Sequence, residues 1–229
     1  MPDRANVIWV IGPTRSSKTS LAKGLARTSG EATPFPVIGT GDYFRDLYGQ
    51  EDTYDASFVF NLSAFSARHI TENKSCHRTV LESFIDQADD ICIIEGERNP
   101  FVFPALYNPE KDMVFTLDRR DIAVYHNPIE PGVPAIFDLV RWGVKTGYIP
   151  AQSVVHFTFG HGRVEAHRYA GPEDDNPSCL FSEAADPRYD GDKYPWISTM
   201  IDMGQENIRT YFALEQPARH QGQNLDGPV

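Results

Sequence analysis

Eight residues near the start of the chain, Gly12-Pro13-Thr14-Arg15-Ser16-Ser17-Lys18-Thr19, have the types and spacing to hold a run of phosphates. An apolar stretch, residues 7–11, leads straight into them, and a helical pattern of Leu21, Ala22, Leu25 and Ala26 follows at once. In such a turn successive backbone N–H groups curl around an anion, and the start of the helix aims its partial positive charge at it. Lys18 has the reach to meet the outer phosphoryl oxygens, and the Thr19 hydroxyl is a hard oxygen ligand suited to Mg²⁺. The lining expected of this site is Gly12, Thr14, Arg15, Ser16, Ser17, Lys18, Thr19 and Ser20. The plainer alternative makes Gly12-Pro13 an ordinary turn and Ser16 an N-cap, with Lys18 and Thr19 exposed in the first helical turn.

Strand, G-x-x-x-x-S-K-T and helix together resemble the phosphate-binding loop of P-loop nucleotide-binding proteins. One departure stands out: Ser17 occupies the place of the motif's second glycine. Glycine serves there because a Cβ crowds the phosphate or because the backbone needs an angle that other residues resist, so a reshaped or weakened loop is expected. The resemblance implies ATP and Mg²⁺ as ligands, with Lys18 on the β- and γ-phosphates and Thr19 on the metal.

Three further clusters extend the resemblance to adenylate kinase and related nucleoside monophosphate kinases. Thr40-Gly41-Asp42-Tyr43-Phe44-Arg45 resembles their T-G-D-x-x-R segment. That implies acceptor contacts from Thr40 and Asp42 and a phosphate grip from Arg45, whose planar guanidinium suits bidentate binding. Without the resemblance, the same residues read as a helix start, with Asp42 as N-cap and Arg45 paired locally. Ile91-Cys92-Ile93-Ile94-Glu95-Gly96-Glu97-Arg98 is an apolar strand ending in an acid, similar to the strand and D-G-F-P-R segment of that family. Glu95 replaces the aspartate as the metal-side acid, and Arg98 lies one position nearer to it than the family's arginine. Glu97 has no counterpart there, and toward a hydroxyl acceptor either Glu97 or Asp42 could serve as a base. Asp118-Arg119-Arg120 follows the next strand, where the resemblance implies catalytic lid arginines: Arg119 or Arg120, or Arg163, Arg168 or Arg188 further on. Cations so placed stabilise charge that builds on phosphoryl oxygens in the transition state.

The elements that must position these residues alternate in the manner of an α/β fold. Strands are expected at residues 7–11, 35–38, 91–94, 113–117 and 154–159, and helices from the loop to about residue 28, at 65–88, at 135–145 and at 197–214. The expectation is a single 229-residue domain of P-loop type, a three-layer sandwich with a mostly parallel central sheet. Residues 171–196 are dense in Pro, Gly, Asp and Asn, so about 160–196 reads as a lid or long loop, and 216–229 as a flexible tail.

Composition sets limits. A hydrophobic fraction of 41% and a charged fraction of 23% describe a soluble globular protein. No apolar run approaches the ~18 residues of a membrane span, and Met1-Pro2-Asp3-Arg4 lacks signal-peptide features, so a cytoplasmic location is expected. Three widely spaced cysteines, Cys76, Cys92 and Cys179, imply a reducing compartment and no thiolate metal site. His156, His161 and His167 match no zinc spacing. A net charge of −11 argues against a broad nucleic-acid surface. The leading expectation is an ATP-dependent kinase transferring the γ-phosphate to a nucleoside monophosphate-like acceptor. The alternatives are a hydroxyl of a nucleoside or of a modified base in DNA as acceptor, and a nucleotide-binding regulatory or assembly protein without phosphotransfer.

Overall fold

The structure, a computed structural model, describes residues 4–13, 16–29, 34–40, 74–97, 102–119, 136–160, 163–171, 178–184 and 196–214. In chain order these form β1 (Asn6–Ile11), α1 (Lys18–Leu25), β2 (Val37–Gly39), α2 (Lys74–Asp86), β3 (Ile91–Glu95), α3 (Val102–Leu106) and β4 (Met113–Arg119). There follow α4 (Ile136–Lys145), β5 (Val154–Gly160), β6 (Arg163–Arg168), β7 (Ser178–Ala184) and α5 (Trp196–Phe212). Short 3-10 turns, Ala26–Ser29 and Ala151–Ser153, close α1 and introduce β5.

One sheet runs β2-β3-β1-β4-β5-β6-β7. Its first five members are parallel, and β6 and β7 are added antiparallel at one end. β1 is bonded on both edges and covered on both faces, which is why Asn-Val-Ile-Trp-Val-Ile is an almost unbroken apolar run rather than an alternating one. Ile8 and Val10 join the core formed with α1 and α5, whereas Val7, Trp9 and Ile11 join the one formed with α2, α3 and α4. This is the α/β, three-layer architecture with a mostly parallel sheet that the alternating elements predict. The α1–α5 contact is close enough to need glycine on both helices. A Cβ on Gly24 would lie 2.2 Å from Ile201 Cδ1, and one on Gly204 would lie 2.5 Å from Leu25 Cδ2.

The structure departs from the sequence expectations chiefly after residue 160. Arg163–Arg168 and Ser178–Ala184, read above as part of a lid or long loop, are strands of the main sheet. Their polar composition misled because only one face of β6 is buried: Val164 and Ala166 enter the core, while Arg163, Glu165 and His167 alternate to the other face. Asp118 and Arg119 are the last two residues of β4, paired with Thr158 and Phe159, rather than the start of a loop. The short helix α3 was not anticipated. Of the helix expected at 65–88, residues from 74 onward are described, and they form α2. The expected tail at 216–229 lies outside the described residues. No helix among the described residues is long and apolar enough to cross a membrane.

At the amino edge of the sheet, one fully buried carboxylate ties four segments together. Asp112 accepts from Arg4 Nη1 at 2.8 Å and Nη2 at 3.1 Å, from the Val7 N–H at 3.2 Å, from Trp9 Nε1 at 3.0 Å and from the Asn108 N–H at 2.9 Å. Its own carbonyl accepts from the Tyr211 hydroxyl at 3.2 Å, which brings in α5. Burial, helped by the Asp112 carboxylate, pushes the Cys92 thiol on β3 up to about 12, so it stays protonated and unreactive in the folded protein. Asp112→Ala takes the carboxylate from a part-buried guanidinium and leaves the buried Val7 and Trp9 donors, and the part-buried Asn108 N–H, without it. It is expected to lower unfolding free energy by about 3–5 kcal/mol. Urea titration of the purified variant checks this, and a loss below about 1 kcal/mol would contradict the role given to Asp112.

Candidate functional site

The carboxyl ends of β2, β3 and β1 lie side by side and bring the motif residues together. Gly12 leaves β1 where a side chain has no room: a Cβ there would sit 2.7 Å from Ser16 Oγ and 3.1 Å from the Leu117 carbonyl oxygen. The chain then turns back on itself. The Ser16 N–H donates to the Pro13 carbonyl at 3.3 Å, and Lys18 Nζ donates to the same oxygen at 2.7 Å. Lys18 is thus folded over its own loop and only 8% exposed, unlike the exposed lysine of an ordinary first helical turn. Ser16 is fully buried, and its Oγ finds no hydrogen-bond partner among the described residues.

Ser17, not Ser16, is the N-cap of α1, and it makes no side-chain capping bond. Its φ of 61° and ψ of 24° are left-handed, which explains why glycine belongs at this point of such a loop. The serine departure therefore leaves the turn formed and introduces backbone strain into it.

Across the loop, the Thr19 hydroxyl donates to Glu95 Oε1. Glu95 ends β3, opposite Val10 of β1 and Gly39 of β2, and is 6% exposed. The hydroxyl of Thr40, immediately after β2, donates to the Glu95 carbonyl at 3.2 Å. After Glu95 the chain turns at Gly96, φ 78°, whose N–H donates to the Val10 carbonyl at 3.0 Å. Glu97 follows, only 1% exposed. Lys18, Thr19, Thr40, Glu95 and Glu97, chosen from three separate stretches of sequence, thus gather at one edge of the sheet.

Other expected members fall elsewhere. Thr14, Arg15, Asp42, Arg45, Arg98, Arg120, Arg188 and His161 lie outside the described residues. Ser20 is exposed on α1. The backbone of Arg119 ends β4 beside Phe159. Arg163 opens β6 opposite Gly160 at the carboxyl edge, whereas Arg168 lies at the far end of β6 and donates to Asn207 Oδ1 on α5. The strand register therefore removes Arg168 from the set of lid arginines. Burial lowers its pKa, the usual effect of desolvating a cation.

Two polar rows across β4, β5 and β6 were not read from the sequence: Thr116, His156 and His167, then Asp118, Thr158 and Glu165. Thr116 Oγ1 lies 2.9 Å from His156 Nδ1, and Thr158 Oγ1 lies 3.0 Å from His167 Nε2 and 3.2 Å from Glu165 Oε2. Their signal was present as period-two alternation in Thr-Leu-Asp, His-Phe-Thr and Glu-Ala-His. No group of three or more His, Cys, Asp or Glu among the described residues is arranged to hold a metal ion.

No protein-family model matches this chain, and no curated protein matches it. Functional assignment therefore rests on the chemistry of its own residues.

Ser17→Gly is expected to stabilise the fold by about 1 kcal/mol. The left-handed turn costs a Cβ-bearing residue of order 1–2 kcal/mol, and the greater unfolded freedom of glycine offsets only part of that. Thermal unfolding should shift upward by about 2–4 °C. A lower midpoint would show that Ser17 is held there by something other than this turn.

Proposed function

We propose that the protein is a P-loop phosphotransferase that binds Mg·ATP at the loop between β1 and α1. The observation that carries this reading is the Thr19–Glu95 hydrogen bond. It joins the hydroxyl that follows the loop lysine to the acid that ends the neighbouring strand. A hydroxyl and a carboxylate are hard oxygen donors, the kind Mg²⁺ takes, and they come from the two segments expected to supply them.

The phosphate side is supported by independent features. The eight-residue helix α1 starts at the loop and directs its dipole into it. The buried Ser16 hydroxyl, with no described partner, is of the kind a phosphoryl oxygen satisfies. Lys18 lies over the loop with its Nζ on the Pro13 carbonyl, close enough for its charge to act on an anion held there. Magnesium, when bound, offsets charge on the β- and γ-phosphoryl oxygens. Thr19 and Glu95 would hold it, while the loop N–H groups and Lys18 would orient the γ-phosphoryl group for in-line attack. Little covalent work falls to the protein beyond positioning and charge. The sheet order fits as well: β1 sends its helix to one face while the connections after β3 and β4 use the other, and ligands of open α/β sheets bind at such a divergence.

Lys18→Ala is expected to weaken Mg·ATP binding by about 10- to 100-fold, the equivalent of one or more charge-assisted hydrogen bonds. Titration calorimetry on variant and wild type reads this directly. Unchanged affinity would overturn the P-loop reading. Glu95→Gln should retain most nucleotide affinity in the absence of metal but lower Mg²⁺-dependent turnover by about 10²–10³-fold. γ-Labelled ATP follows that turnover, and equal rates in variant and wild type would remove Glu95 from the metal site.

A further inference from the structure

Among the described residues, the large apolar side chains left exposed are Trp142, at 62%, and Tyr148, at 45%. They belong to one short stretch: Trp142 stands near the end of α4 and Tyr148 in the turn that follows it. A single exposed ring is ordinary, but two together, with cations between them, make a surface with a definite chemistry.

Tyr148 is held from below. Gly147, φ 73°, turns the chain, and the Ile149 N–H returns to the Gly143 carbonyl at 2.9 Å. The Tyr148 hydroxyl donates to the Pro104 carbonyl at 3.2 Å, and its ring centroid lies 6.1 Å from that of Tyr107. Tyr107 is buried, 5.3 Å from Phe103, which in turn meets Trp9 of β1 edge-on at 5.1 Å. The exposed ring is thus the outer end of an aromatic row anchored in the central strand. Its position is fixed before any partner arrives, which lowers the ordering cost of binding.

Arg141 immediately precedes Trp142, and Lys145 follows one turn later; both residues are exposed. At i and i+4 the two cations are neighbours on the helix surface, and Lys145 is also a neighbour of Trp142 at i+3. Each cation has a protein partner of its own, and the acidic Asp138 stands one turn before Trp142. The rings therefore carry the larger share of any binding, and the charge a smaller one.

A partner suited to this surface presents flat faces and negative charge together, at short intervals. An acidic peptide offers the charge without the faces, and a duplex keeps its base faces stacked inside. A second copy of this chain, with its own net charge of −11, brings repulsion. We propose that the end of α4 and the turn after it form a docking surface for a single-stranded nucleic acid. Its bases stack on Trp142 and Tyr148, and its phosphates meet Arg141 and Lys145. The surface lies toward the amino edge of the sheet, where the chain passes from α4 into β5, away from the loop between β1 and α1. It is small enough to coexist with an acidic chain, because a pair of rings and a pair of cations cover only a few nucleotides.

The test is binding of a fluorescently labelled oligothymidylate of about a dozen nucleotides, read by anisotropy, with a Kd of about 1–100 µM expected for wild type at low salt. Trp142→Ala and Tyr148→Ala are each expected to weaken binding by about 5- to 100-fold, and Trp142→Phe, which keeps a flat ring, to recover part of the loss. Replacing Arg141 and Lys145 together by alanine should flatten the plot of log affinity against log salt by about 1.4, from two phosphates at ~0.7 each. The Trp142 variants should melt with wild type, because the side chain they alter is on the surface. No binding at about 100 µM protein would overturn the proposal, that being the weak end of non-specific binding. Wild-type affinity in Trp142→Ala, or equal affinity for a duplex of the same length, would overturn it too. Displacement of the strand by oligoglutamate as readily as by unlabelled oligothymidylate would make the partner an acidic peptide instead. A dimer in sedimentation that Trp142→Ala dissolves, with no oligonucleotide bound, would assign the surface to a second copy. None of these outcomes touches the phosphotransferase reading, which Lys18→Ala tests separately.

Discussion

Parallel pairing of β1 on both of its edges is the constraint from which the rest follows. A strand bonded to β3 on one side and β4 on the other, with helices packed on both faces, has no solvent face, so its side chains must be apolar in both directions. Its end must then escape between two neighbours, which is why Gly12 tolerates no side chain and why the loop folds back so tightly. The same pairing fixes Glu95 opposite Val10, within reach of the first turn of α1. The Thr19–Glu95 contact is thus a product of strand register more than of local sequence. The two ends of the sheet are specialised by this geometry: Asp112 and Arg4 lock the amino edge, while charge left for chemistry collects at the carboxyl edge.

Residues 6–29 and 91–95 were readable because their signals are local and redundant. An apolar run, a turn residue and a helical repeat in succession leave few alternatives for residues 6–29, and Glu95 announces itself as the polar end of a four-residue apolar strand. Burial of Glu97 was not readable, because a Glu-Arg pair after a strand looks the same on paper whether it faces water or a packed edge. Nor could spacing reveal that Ser17 adopts the left-handed turn a glycine would; only the φ angle does that.

The segments that form β6 and β7 were misread for a definite physical reason. β6 has one apolar face and one polar face, and the polar one is occupied by arginine, glutamate and histidine, residue types that a search for catalytic groups notices first. Read in twos, Arg-Val-Glu-Ala-His-Arg is a half-buried strand. Read for chemistry, it is a lid. The structure favours periodicity over residue type, and with it Arg168 moves away from the edge that holds Gly12 and Glu95 to a contact with α5.

The contact between Thr19 and Glu95 spans 76 positions of sequence, and the one between Val7 and Asp112 spans 105. During synthesis residues 12–19 therefore leave the ribosome long before β3 and β4, the strands that will flank β1. A nascent chain ending at residue 73 would contain every residue of the motif and neither flanking strand, and such long-range parallel pairings are slow to form. Motif and site are separate objects in time: residues 12–19 are translated well before β3, whose pairing with β1 sets Glu95 opposite Val10.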